Sequence, residues 1–145
     1  MQGESSHHRR VSVQQTLPAG CEPDCRGCRH RTLTLVASVA QKQEYLQRVL
    51  ERWGQVLQAV RSVQEDRRFG YRDRVTLNAR WDASAGWRFG MMRRDELIPI
   101  PDCPVHSARV NKLVALLRTK LPAPGHFPLA YLHVARGQTT LIVKA

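Results

Sequence analysis

Between Ser38 and Val60 the apolar residues Leu46, Val49, Leu50, Trp53, Val56, Leu57 and Val60 recur at steps of three and four. Gln47, Arg48, Glu51, Arg52 and Gln55 fill the remaining positions. That spacing puts one apolar stripe on a helix and predicts a long amphipathic helix over residues 38–60. Ser38 is its expected N-cap, and Gly54 lies inside the pattern. After Gly70 the period changes to two. Val75, Leu77, Ala79 and Trp81 alternate with Thr76, Asn78 and Arg80, and Trp87, Phe89 and Met91 alternate with Arg88 and Gly90. These are two strands joined by a hairpin turn over Asp82–Gly86. Leu97–Ile100 predicts a short third strand, closed by Pro99 and Pro101. A second helix is expected from Ser107 to Leu121, with Val110, Leu113, Val114, Leu117 and Leu121 on its apolar face. Leu129–Val134 and Thr139–Lys144 form a last hairpin around Arg136-Gly137.

The order helix, three strands, helix, two strands predicts an α+β fold with a mostly antiparallel sheet. Residues 1–20 are polar and end in Pro18-Ala19-Gly20, the composition of a disordered lead. The expected organisation is that lead, a cysteine loop over 21–37, the helix over 38–60 and a sheet domain over 70–145. The apolar run Leu141-Ile142-Val143 stands at the end of the sequence, which leads us to expect a truncated piece of a larger multidomain enzyme. Trp53, Trp81 and Trp87 sit on apolar faces and are expected to pack, and the odd position of Tyr71 places it with Val75 in the core.

Charge changes this picture. The chain carries 23 Lys and Arg against 12 Asp and Glu, a net charge of +11. Nine arginines and four acids lie between Arg61 and Arg94, and no acid follows Cys103. A polyanion is the natural partner, and RNA is the expected one. Arg72, Arg74 and Arg80 share parity and are read as one basic face for phosphates. No apolar run is long enough to span a bilayer, and the N-terminus has no secretory h-region, so we expect no membrane partner and a cytoplasmic location.

Four cysteines carry the candidate chemistry. Cys21-x3-Cys25-x2-Cys28 is followed much later by Cys103-Pro104. In a reducing compartment such thiols hold metal more often than each other. A tight loop of three with a remote Cys-Pro suits a [4Fe-4S] cluster, whose corner thiolates each serve a different iron. Gly27 lets the loop turn close to inorganic sulfide. Zinc, with His30 or His106 as a further ligand, stays open on spacing alone, as do disulfides or simple thiols.

Several stretches together resemble the RNA (uracil-5-)-methyltransferase family. The family's loop C-x5-C-G-G-C-x-x-Q-H corresponds to Cys21-x3-Cys25-Arg26-Gly27-Cys28, with a shorter first gap, Arg26 for a glycine, and Arg31-Thr32 for Gln-His. Lys42 falls where the family's helix lysine stands. Gly70-Tyr71-Arg72-Asp73-Arg74 resembles its G-Y-R-N-R tract, Phe89-Gly90-Met91-Met92-Arg93 its G-F-R strand, Leu97-Ile98-Pro99-Ile100 its I-V-D-I strand, and Cys103-Pro104-Val105 its C-P-I. The resemblance spans Cys21 to about Val143. It implies a [4Fe-4S] cluster on Cys21, Cys25, Cys28 and Cys103, and it adds Lys42 to Arg72, Arg74 and Arg80 as an expected RNA contact. It implies ribosomal RNA as the partner and S-adenosylmethionine as cofactor of the full enzyme.

Family members also carry an RNA-binding barrel and a Rossmann-like methyltransferase domain. This chain has neither a glycine-rich loop after a strand nor a cysteine left for nucleophilic attack. It is therefore expected to be inactive alone, with no catalytic residue and no residue contacting S-adenosylmethionine. A freestanding zinc-stabilised RNA-binding module is the alternative. A small electron carrier is a third reading, and it leaves the positive charge without a purpose.

Overall fold

The computed structural model describes residues 16–125 and 127–144. The expected lead up to position 15, with the His7–His8 pair, lies outside the described residues, as do His126 and Ala145. The chain divides into two compact units, one holding His30–Ser62 and the other Leu17–Arg29 with the chain from Val63 onward.

The first unit is built on helix α1, Leu35–Val49. It starts one turn earlier than the periodicity predicts. Thr34, not Ser38, is the N-cap, its hydroxyl accepting the Ala37 N–H at 3.1 Å. The helix also ends early. A 3₁₀ stretch, Glu51–Val56, replaces the predicted C-terminal half, and Trp53 leaves helical geometry inside it at φ −112°. Gly54 falls in that stretch, and glycine costs a helix about 1 kcal/mol relative to alanine. The Val60 N–H then donates to Gln43 Oε1 at 2.7 Å, so the chain folds back on α1. This break removes Trp53 from the apolar stripe. It is 48% exposed, with the Arg52 guanidinium 4.0 Å over its ring.

The second unit is the α+β body. Strands β1 (Val75–Asp82), β2 (Gly86–Arg93), β3 (Glu96–Pro99), β4 (Leu129–Ala135) and β5 (Gln138–Val143) make one sheet in the order β3-β2-β1-β4-β5. Every neighbouring pair is antiparallel. Turn chemistry sets the register of both hairpins. The Asp82 carboxylate accepts from the N–H groups of Ser84 and Ala85 at 2.9 and 3.0 Å, and Gly86 supplies φ 75°. Arg136 and Gly137 both have positive φ, at 45° and 84°, as a two-residue I′ hairpin requires.

Helix α2, Ala108–Lys120, packs on one face of the sheet. The predicted stripe does the packing. Val110 and Val114 are fully buried against Val75, Leu77, Trp87, Phe89, Leu132 and Val134, with Leu113, Leu117 and Leu121 alongside. Trp87 satisfies its indole N–H on the Pro122 carbonyl at 2.7 Å. The expected packing role holds for Trp87, and Trp81 packs its ring edge-on against it at 5.6 Å between centroids while staying 39% exposed near the end of β1. Tyr71 is a correction, being 61% exposed. β1 begins only at Val75, so strand parity does not reach back to Tyr71.

Gly90 is where two strands approach most closely. It pairs with Asn78 on one side and Pro99 on the other, and a Cβ there would overlap the Ile98 carbonyl. Gly90→Ala is expected to lower unfolding free energy by about 1–3 kcal/mol, by forcing β3 away from β2. Urea titration of the two proteins measures it, and an unchanged midpoint would show that β3 yields freely.

Candidate metal-cluster site

All four cysteines belong to the second unit. Three come from its N-terminal loop, and the fourth from the turn between β3 and α2. Local contacts hold the loop at three points. Gly20, at φ 77°, packs so closely on Asp102 that a Cβ would stand 2.8 Å from its carbonyl oxygen. This sets the residue before Cys21 against the residue before Cys103. Asp24 accepts from Arg93 at the end of β2 at 3.1 Å. Gly27 lies against Met91, whose Sδ would be 3.3 Å from an added Cβ. The Gly27 N–H also donates to Cys25 Sγ at 3.4 Å, an amide-to-sulfur contact of the kind that tunes iron–sulfur centres.

The other side of the site is fixed from α2. Asn111 clamps the main chain of Cys103 in both directions. Its Oδ1 accepts the Cys103 N–H at 3.2 Å, and its Nδ2 donates to the Cys103 carbonyl at 2.9 Å. The same carbonyl accepts the His106 N–H at 3.0 Å. The segment before β1 runs beside this turn in a parallel bridge, Arg72 to His106. Arg72 N–H donates to Val105, Ser107 N–H donates to Arg72, and Gly70 N–H donates to Pro104.

The electrostatics report which side chains share the space. Burial pushes the Cys28 thiol above its ordinary value, and the negative charges of Cys103, Cys25 and Cys21 push the same way. The Arg72 guanidinium opposes them. No disulfide joins any of the four. Among the described residues, no three His, Cys, Asp or Glu side chains form a closed ligand set for one ion.

By donor type, though not by the placement of their side chains, the four thiols suit a thiolate-bound cluster. Soft sulfur donors and an amide aimed at a sulfur are features such a group uses. Cys21, Cys25, Cys28 and Cys103 would hold it. When bound, it would supply a redox-capable centre and cross-link the loop to the β3–α2 turn.

The two histidines weighed as zinc ligands differ. His30 belongs to the first unit, and its Nδ1 bonds the Ser38 hydroxyl at 2.7 Å. His106 is only 6% exposed, and its Nδ1 has no hydrogen-bond partner among the described residues. Burial, and then the Arg72 charge, lower its pKa, so the ring is held neutral.

The expected basic face divides. Arg80 stands exposed on β1, whereas Arg72 and Arg74 precede the strand, so the three do not share one strand face. Arg72 acts on Cys28 and His106 instead. Lys42 is exposed on α1, in the other unit. The residues missed from sequence are Asn111 and the Gly20–Asp102 contact. Asn111 interrupts an apolar helix face next to Val110 and Val114, a signal that could have marked it.

Asn111→Ala is expected to cost about 1–3 kcal/mol, because two main-chain groups of a half-buried turn lose their partners. Alanine favours the helix, so a loss in thermal unfolding must come from the turn. Asn111→Asp keeps the acceptor and should recover part of it. Equal melting of all three proteins would show the clamp to be idle.

No protein-family model matches this chain, and no curated protein or solved structure matches it either.

Proposed function

We propose that the chain is the iron–sulfur-cluster-bearing, RNA-engaging part of an S-adenosylmethionine-dependent RNA (uracil-5-)-methyltransferase, with methyl transfer performed by residues outside these 145. The observation that carries the reading is the packing of Gly20 on Asp102, which sets the residue before Cys21 against the residue before Cys103. The Gly20–Asp102 packing places the start of the cysteine loop beside the β3–α2 turn, and the Asn111 clamp orders the main chain of Cys103. The net charge of +11, with no acid after Cys103, supports a polyanion partner. The RNA class, ribosomal in this reading, follows from the resemblance of the sequence motifs.

A freestanding zinc-stabilised RNA-binding module is the second reading. The buried Nδ1 of His106, unpartnered among the described residues and three residues after Cys103, favours it.

One preparation separates the two. Chain isolated without oxygen, with iron and sulfide supplied, is expected to be brown and to absorb broadly near ~400 nm. Cys103→Ser should lose most of the iron and the colour. Full iron retention in that variant would remove Cys103 from the ligand set. A colourless protein with one zinc per chain, lost in His106→Ala, would carry the second reading in place of the first.

RNA engagement is tested by salt. Four phosphate contacts would cost about 100-fold in affinity between roughly 50 and 200 mM monovalent salt. Filter binding of a structured ribosomal RNA segment measures this. An affinity indifferent to salt would rule out binding through phosphates.

A further inference from the structure

The sheet carries a cleft, where β1 and β4 part, that the cysteine site does not use. β1 and β4 pair only from Val75–Val134 to Asn78–Tyr131, and then diverge. The opening between them has a volume of ≈ 550 Å³. That is ample for a nucleobase with its sugar, within the roughly 300–1,000 Å³ of ligand sites. Asn78, Arg80, Trp81, Met92, Tyr131 and Lys144 line it.

Three features narrow the occupant. The first is charge. The lining holds two cations and no acid. Arg80 is directly opposite Arg88 in the ladder, an unfavourable pairing of like charges. Arg88 is compensated by Asp82 at 3.5 Å, whereas Arg80 has no ion-pair partner among the described residues. The second is a π surface. Tyr131 is 42% exposed, and its ladder neighbour Asn78 faces Gly90 on the other side, where no side chain crowds the platform. The third is hydrogen bonding. The Asn78 amide offers a donor and an acceptor, and the β4-side edge of β1 beyond Asn78 has no strand partner among the described residues.

An anion with a flat aromatic body and polar edges fits all three. We propose that this cleft binds an unpaired nucleotide of a single-stranded nucleic acid, its base stacked on Tyr131 and its phosphate held by Arg80 and Lys144. The class of ligand rests on the RNA-engaging reading above; the location does not. The direction of the strand is also limited. A neighbouring hollow, which Arg80 and Trp81 also line, carries Glu22, Asp24, Asp82, Asp95 and Glu96, which repel phosphate. The bound strand therefore runs along β1 and β4.

The test is fluorescence anisotropy of a labelled eight-nucleotide uridine RNA against the full chain, with the thymidine DNA oligomer as a second arm. Tyr131→Ala is expected to weaken binding roughly 5- to 150-fold, and Tyr131→Phe to retain it. Arg80→Ala should weaken binding and lower the slope of log affinity against log salt by about one. Both residues are exposed, so melting temperatures should stay near wild type, and Lys144→Ala gives an independent check at an exposed position. Binding to both oligomers with these losses supports a nucleotide cleft that reads base and phosphate, and binding to RNA alone adds the ribose. RNA binding unchanged in Tyr131→Ala and Arg80→Ala overturns the cleft and leaves the RNA-engaging reading standing. No binding of single-stranded or structured RNA by the wild-type chain overturns both, whatever the iron content.

Discussion

The seating of α2 on the sheet is the constraint on which the cysteine site depends. Val110 and Val114 are driven into the layer of Trp87, Phe89, Leu132 and Val134 by removal of apolar surface from water. That packing fixes the start of the helix, where Ser107 caps it and Asn111 points its amide back at Cys103. The remote thiol is thus positioned by a hydrophobic core that contains no metal-binding residue. A cluster bound there would complete an arrangement whose second half is already ordered, and only the N-terminal loop would have to be brought into line. Preorganisation of this kind reduces the ordering cost that a bound group must otherwise offset.

Periodicity made the sheet body legible because its two signals agree. In β1 and β2 the alternation of apolar residues coincides with turn chemistry at Asp82–Gly86, and in β4 and β5 with Arg136-Gly137. Where only one signal was available, the reading failed. The stripe from Leu46 to Val60 is apolar at helical spacing, yet the helix stops at Val49 because nothing local sustains it through Trp53 and Gly54. Tyr71 and Arg72 were assigned faces by extending strand parity across Gly70–Arg74, a segment that pairs with Pro104–Ser107 instead. Pairing of that sort depends on residues more than thirty positions apart. No local pattern encodes it.

The candidate site shows the same division. Spacing alone picked out the cysteines, since soft donors at short intervals have few other uses. Their supports were invisible: a glycine against a carbonyl, and an asparagine on a helix reaching to a turn. Both are contacts between segments that the sequence separates by about 8 residues or more. Asn111 is polar on an apolar face, and a buried amide needs partners, so its role can be reasoned afterwards from satisfaction of hydrogen bonds.

Arg72 best shows how one residue type divides between two tasks. A guanidinium beside thiols lowers the cost of holding several negative sulfurs together, and here it opposes the burial and charge that raise Cys28. The same charge helps to keep the buried His106 neutral. An arginine so engaged has less to offer a phosphate than Arg80, which has a like charge across the strand and no ion pair among the described residues. Positive charge in this chain is therefore not one undifferentiated surface. Part of it stands guard over the thiols, and part is left uncompensated on the open sheet, where an anion from outside would relieve it.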